Sequence, residues 1–269
     1  IPYKPAYHFP VSLKGIREGD FTMVYGYPAR TREYVPSYHV KMLKDIYYPK
    51  AVAVRGAKLS VLNKAMEDDP EVRIKYSAKA YGISNAWKKW IGEIQSLNKT
   101  RAVEQKEAFE EEFARWVSFD PPRTSQYGKL FEQYRDIYAR YQVYYLVNSY
   151  TSEVFFSNGT ESVGFSGKFR KAVEMALKND SALGRELSSL VKTAKEFFTD
   201  YDQATDKELF KVLMKMYGEN IDPQWQVPAF KELNAKCKGD FSSVVDDLFA
   251  QSVAVFRDNK LDNPNSASY

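Results

Sequence analysis

Between residues 127 and 150 the large apolar side chains step along the chain by three and four. They fall at Leu130, Tyr134, Ile137, Tyr141 and Tyr144, with Phe131, Tyr138 and Tyr145 widening the stripe. That period places them on one face of a long helix, and a face so broad has to be covered by other helices. An aromatic seam of this kind reads as a helix–helix interface before it reads as a ligand box. A second long pattern begins at Asp69-Pro70-Glu71, which has an N-cap acceptor, a proline at the first helical position and an acidic first turn. It runs as one helix or two as far as Trp116, with Phe109, Phe113, Trp116 and Val117 on one face, and Pro121-Pro122 then forces a break.

Helical patterning holds from Ser37 onward. Ser157 to Gly167, rich in Gly, Ser and Asn, reads as a loop. Shorter amphipathic segments follow on Phe169, Val173 and Leu177, and on Leu187, Leu190, Val191, Ala194 and Phe198. A capping box, Thr205 to Glu208, opens the next, which carries Leu209, Leu213 and Met216 and ends near Gly218. The last uses Phe241, Val244, Val245, Leu248 and Phe249.

The first thirty residues differ in character. Pro2, Pro5 and Pro10 punctuate them, and Val11-Ser12-Leu13 and Phe21-Thr22-Met23-Val24-Tyr25 are β-prone runs on either side of a turn marked by Gly15 and Gly19. Two strands alone are marginal in water, so a hairpin here implies a larger sheet than the chain holds. The expected organisation is a β-hairpin segment over 1–34, a helical domain over 35–258 and a frayed polar tail over 259–269. The chain opens on Ile1 in the middle of an extended segment, which suggests an excised piece.

Composition excludes some functions. The 39 basic and 35 acidic residues interleave, as from Lys99 to Arg115, which describes a solvated helix face and not the basic stripe of a nucleic-acid binder. No apolar run approaches a membrane span. The single Cys237 allows no internal disulfide and has no cationic cluster beside it in sequence to make it reactive. Of the two histidines, His8 lies in the proline-rich lead-in and His39 where the helices begin, and neither sits in a metal motif. Asp68-Asp69 and Asp246-Asp247 could act as general acids or metal ligands, but they are read as helix-end carboxylates. Asn98-Lys99-Thr100 and Asn158-Gly159-Thr160 fit the glycosylation pattern, which is short enough to arise by chance. No metal site and no cofactor are expected, and residue chemistry alone identifies no enzyme.

A longer string carries more. Tyr3-Lys4-Pro5, Phe9-Pro10-Val11-Ser12-Leu13-Lys14-Gly15, the strand Glu18-Gly19-Asp20-Phe21-Thr22-Met23-Val24-Tyr25-Gly26-Tyr27-Pro28, and Arg30-Thr31 together resemble serine peptidase family forty-six. These are bacterial dipeptidyl peptidases of the seven and eleven types. Asp69-Pro70-Glu71-Val72-Arg73-Ile74-Lys75-Tyr76 and Ile83-Ser84-Asn85-Ala86-Trp87-Lys88-Lys89-Trp90 continue the resemblance, and Ala29 departs from it where the family usually has Gly.

The resemblance implies a chymotrypsin-like double β-barrel carrying a Ser-His-Asp triad, with a helical cap domain inserted between the barrels. All three triad residues would lie outside this chain, which alone should be inactive. It also implies that Asn85 helps bind the free α-ammonium of a peptide substrate. A helix-cap or kink role after Gly82 is the alternative for Asn85, and Trp87 and Trp90 are pocket walls or core. The implied partners are peptides with a free N-terminus and the two barrel halves, with a homodimer of the parent left open, in the periplasm or at the cell surface. The competing reading from residues alone is a self-standing helical interaction or scaffold protein.

Overall fold

In the computed structural model, residues 4–8, 10–23, 26, 32–156 and 159–252 are described. The chain divides into two units, Ile1–Val35 and Pro36–Tyr269. In the first, the expected turn is present: the Asp20 amide donates to the Arg17 carbonyl at 3.1 Å, and the Arg17 amide donates to the Asp20 carboxylate at 2.8 Å. Residues 10–23 carry no strand, so the expected β-hairpin is not seen among the described residues. Val24 and Tyr25, the last two residues of the second run, and the tail over 259–269 lie outside the described residues.

The second unit is helical. It begins with α1 (Ser37–Lys41), which passes through a π-helical turn, Met42–Tyr47, into α2 (Tyr48–Asp68). Pro49 explains that turn. It has no N–H to donate, and its ring would press on the carbonyl of residue 45, so the helix widens just ahead of it. The extra residue brings neighbours Tyr47 and Tyr48 to one side, where both meet the Trp90 ring at 5.6 and 6.2 Å.

Asp69 alone separates α2 from α3 (Pro70–Lys99), and its side chain caps α3 by accepting from the Glu71 amide at 2.7 Å. The long second pattern is two helices: left-handed Arg101 (φ 50°) ends the first, and α4 (Ala102–Ser118) follows. Pro121 and Pro122 end α4 and also start a short helix, α5 (Pro121–Tyr127), as prolines at a helix N-terminus can.

The tyrosine stripe lies on α6 (Leu130–Phe155), later in the chain than its pattern suggested. Its packed edge is also rotated. Phe131, Tyr134, Tyr138 and Tyr145 are half-buried, while Ile137, Tyr141 and Tyr144 are exposed. Tyr138 stacks on Tyr38, and Tyr145 meets Tyr47 edge-on.

The stretch expected as a loop forms a helix, α7 (Glu161–Ser166), and a 3₁₀ turn, Gly167–Phe169. Two distant contacts make it fold. Buried Asp206 accepts from the Glu161 and Ser162 amides at 2.6 and 3.0 Å, and Phe165 stacks on Phe197 at 4.2 Å. Next come α8 (Arg170–Leu177) and α9 (Leu183–Thr199); on α8 the expected inward Val173 and Leu177 are exposed and Ala172 is buried.

The capping box proposed at Thr205 is displaced. Asp202 caps α10 (Gln203–Asn220), accepting from both the amide and the hydroxyl of Thr205. A carboxylate three residues earlier is the better acceptor. α10 ends at Asn220, near Gly218 as the sequence placed it, and Phe230 packs on Gly218, 3.1 Å from where a Cβ would stand. A 3₁₀ turn, Pro223–Trp225, leads to α11 (Pro228–Cys237) and α12 (Ser242–Ser252). Asp246 and Asp247 are inside α12 and not at its end, and Asp246 pairs with Lys207 at 2.5 Å. The main core gathers Val54 and Leu62 of α2, Tyr76 and Ile83 of α3, Val154 of α6, Leu213 and Tyr217 of α10, Phe230 of α11 and Phe249 of α12.

Candidate functional site

Asn85 lies in the middle of the 30-residue helix α3, which runs through Gly82 without interruption. The alternative of a cap therefore falls: fifteen residues from the helix start, Asn85 has no orphan backbone group to satisfy. Its side chain is exposed and makes no hydrogen bond among the described residues. Asn is a mediocre helix former because its amide competes with the helix for backbone partners. An uncommitted carboxamide is thus held at a fixed height on a rigid rod. Tyr81, Lys88 and Lys89 are exposed around it. Beside it, between α2 and α3, runs an open groove of about 470 Å³ bordered by Gly56, Ser60, Asn63, Tyr81, Ser84 and Trp87.

The two tryptophans divide. Trp90, half-buried, joins an aromatic cluster with Tyr47 and Tyr48 and packs against the core beside Met42 and Leu43. Trp87 is half-buried and borders the groove. Its indole nitrogen is enclosed without a partner among the described residues, against Gly56, where a Cβ would sit 3.5 Å away.

Beneath this turn lies a group of charges that the sequence pattern did not reveal. Arg55 and Lys58 of α2 and Glu153 of α6 are buried together, Lys58 at 0% exposure and Glu153 at 5%. Arg55 grips the Glu153 carboxylate with two parallel bonds, Nε to Oε2 at 3.0 Å and Nη2 to Oε1 at 2.7 Å. Its remaining arm, Nη1, donates to the Ile83 carbonyl at 3.3 Å, and its guanidinium lies 4.7 Å over the Trp90 ring. Lys58 donates to the same carboxylate at 3.0 Å and to the Glu153 backbone carbonyl. Burial pushes the Lys58 ammonium down to about 8; the charge and hydrogen bond of Glu153 oppose this and the charge of Arg55 adds to it. The spacing of Arg55 and Lys58, three apart on one face, was the available signal. It is indistinguishable in sequence from an exposed basic edge.

The other sequence candidates take structural places. His39 packs edge-on to Tyr138, whose hydroxyl is 3.4 Å from Nδ1. His8 is exposed beside Tyr7. Asp69 is the α3 cap, and Cys237 is buried at the end of α11. Asn98 accepts from Lys44 at 3.2 Å, and Asn158 lies outside the described residues. Among the described residues no cluster of His, Cys, Asp and Glu could hold a metal ion, and no helix is long and apolar enough to cross a membrane.

Residues 1–264 match the family described as Peptidase S46. An Asp/Glu-specific dipeptidyl-peptidase of Capnocytophaga gingivalis is 33% identical over 246 residues, 89% of this chain and 34% of that protein. Dipeptidyl-peptidase 7 of Porphyromonas endodontalis is 28% identical over 265 residues, 97% of this chain and 31% of that protein. The crystal structure of Porphyromonas endodontalis DPP11 in complex with the dipeptide Arg-Glu superposes with a TM-score of 0.68 at 22% identity, covering 89% of this chain and 34% of that one. The chain therefore spans about a third of the length of the relatives it matches, and at that identity the superposition establishes the fold.

Proposed function

The chain belongs to the peptidase S46 family, and on that footing we propose that it is the helical cap of a serine dipeptidyl peptidase. In this reading the 36–252 helices cover the cleft between two β-barrel halves, and the segment over 1–34 is the edge of one barrel. The Ser, His and Asp that form the acyl-enzyme belong to those barrels. These 269 residues would then bind and orient substrate and would not by themselves cleave it. The parent would act in the periplasm or at the cell surface on peptides with a free N-terminus.

The observation that carries the reading is the uncommitted amide of Asn85 on an uninterrupted helix. An enzyme that removes dipeptides must hold the α-ammonium at a set distance from its nucleophile. A carboxamide oxygen accepts from that ammonium without the desolvation cost of a carboxylate. Fixed at mid-helix, it also loses little freedom on binding.

The test is Asn85→Ala in the full-length enzyme. A hydrogen bond to a charged group is worth about 1.5–3 kcal/mol, so kcat/KM for a free-amine dipeptidyl substrate should fall roughly tenfold to a hundredfold. An N-acylated analogue, which lacks the ammonium, should be equally poor for both proteins. Wild-type kinetics on the free-amine substrate would show that Asn85 is not the amine ligand.

A further inference from the structure

Arg55 touches α3 at two heights. Its Nη1 reaches the Ile83 carbonyl at 3.3 Å, and its guanidinium plane lies on the Trp90 ring, 4.7 Å from its centre. Asn85 stands between these two contacts. The remaining donors of the same guanidinium are bound bidentately to Glu153 of α6, and Lys58 holds both the carboxylate and the backbone carbonyl of Glu153 from one turn further along α2. A guanidinium is a rigid planar fork, so fixing two of its arms on α6 fixes where the third meets α3.

We propose that Arg55 is a positioning residue for the substrate-amine site, setting the height and rotation of the Ile83–Trp90 stretch of α3 against α6 and so the place of the Asn85 carboxamide. This rests on the amine-binding role proposed for Asn85. Arg55 is buried and touches no substrate. It acts through the Ile83 carbonyl and the Trp90 ring. The consequence is geometric: a misplacement of the order of 1 Å in a group that anchors substrate can cost up to about a hundredfold.

The experiment is a double-mutant cycle in the full-length enzyme between Arg55→Lys and Asn85→Ala, read as KM and kcat on a free-amine dipeptidyl substrate. Lysine keeps the charge opposite Glu153 and loses the fork. Arg55→Lys should raise KM about five- to tenfold with kcat within about twofold, and this increase should vanish in the Asn85→Ala background, because the two act as one unit. Two outcomes overturn the inference: an unchanged KM in Arg55→Lys while Asn85→Ala raises it, or KM effects that simply multiply. If Asn85→Ala alone leaves kcat/KM at the wild-type value, the amine-binding reading falls first and takes this one with it. If Arg55→Lys does not fold, Trp90→Phe replaces it: KM should rise about two- to threefold, again only when Asn85 is present, and an unchanged KM overturns the proposal.

Discussion

Replacing Glu153 by Gln isolates the energetics of the buried charge group. The carboxylate is the shared anion of two cations: it accepts twice from Arg55 and once from Lys58. Gln keeps the shape and one acceptor oxygen but removes the charge, leaving a guanidinium and an ammonium facing each other in the core. Lys58 gives a scale for what such burial costs. Its pKa falls from the ordinary 10.5 to about 8 even with Glu153 present, so keeping it charged at neutral pH costs on the order of a few kcal/mol. Removing one partner of a buried pair typically costs about 3–5 kcal/mol. That range is the expected loss for Glu153→Gln below pH 8, measured on the 269-residue chain by urea denaturation followed by far-UV circular dichroism.

The pH dependence gives the prediction its sign. A folded pKa of about 8 against 10.5 in the unfolded chain means the unfolded state binds the extra proton between those values. Stability from this group therefore rises with pH across that window. Without Glu153 the Lys58 pKa drops further, so the variant sheds its proton earlier and escapes the repulsion. The deficit relative to wild type should shrink as pH rises from the variant's lowered pKa towards 8 and stay level above it, where Lys58 is neutral in both folded proteins. A loss below about 1 kcal/mol, the scale of a surface pair, or a deficit that grows with pH, would refute the reasoning.

Three further outcomes are expected. The 269-residue chain alone should hydrolyse no dipeptidyl substrate; turnover abolished by a serine-reactive inhibitor would overturn the cap reading. Gly218→Ala places a methyl 3.1 Å from the ring of buried Phe230, so the urea midpoint should fall by the equivalent of about 1–3 kcal/mol; an unchanged midpoint would contradict the close packing of α11 on α10. In the 269-residue chain, Asn85→Ala should leave stability unchanged or raise it by about 0.5 kcal/mol, since Ala is the better helix former at an exposed mid-helix position. A clear loss of stability would mean that the side chain has a structural task.

What the sequence made legible was what local chemistry decides. Asp69-Pro70-Glu71 starts a helix where it should, and the steps of three and four in α6 and α12 are real helical faces. The errors share a cause, which is that a partner far along the chain overrides local preference. Residues 161–166 look like a loop until Asp206, some forty residues on, accepts from their first amides. Thr205 looks like a cap until the carboxylate of Asp202 outcompetes it.

Asn85 and the charges beneath it illustrate opposite limits of the same reading. Nothing local marks Asn85: an exposed Asn on a helix is unremarkable in composition and pattern, and only the resemblance of the surrounding string singles it out. The structure adds that it lies in mid-helix with no cap to make and no intramolecular partner among the described residues. Arg55, Lys58 and Glu153 fail in the other direction. Each alone is an ordinary charged residue on a helix, and their spacing predicts solvent. Only the meeting of α2 with α6, nearly a hundred residues apart in sequence, buries them together beneath Ile83. A charge group that costs several kcal/mol to enclose is a weak source of stability, and hydrophobic replacement of all three would cost little. What such a group supplies is direction: a fork fixed on α6 has one place to meet α3, and that place is two residues from Asn85.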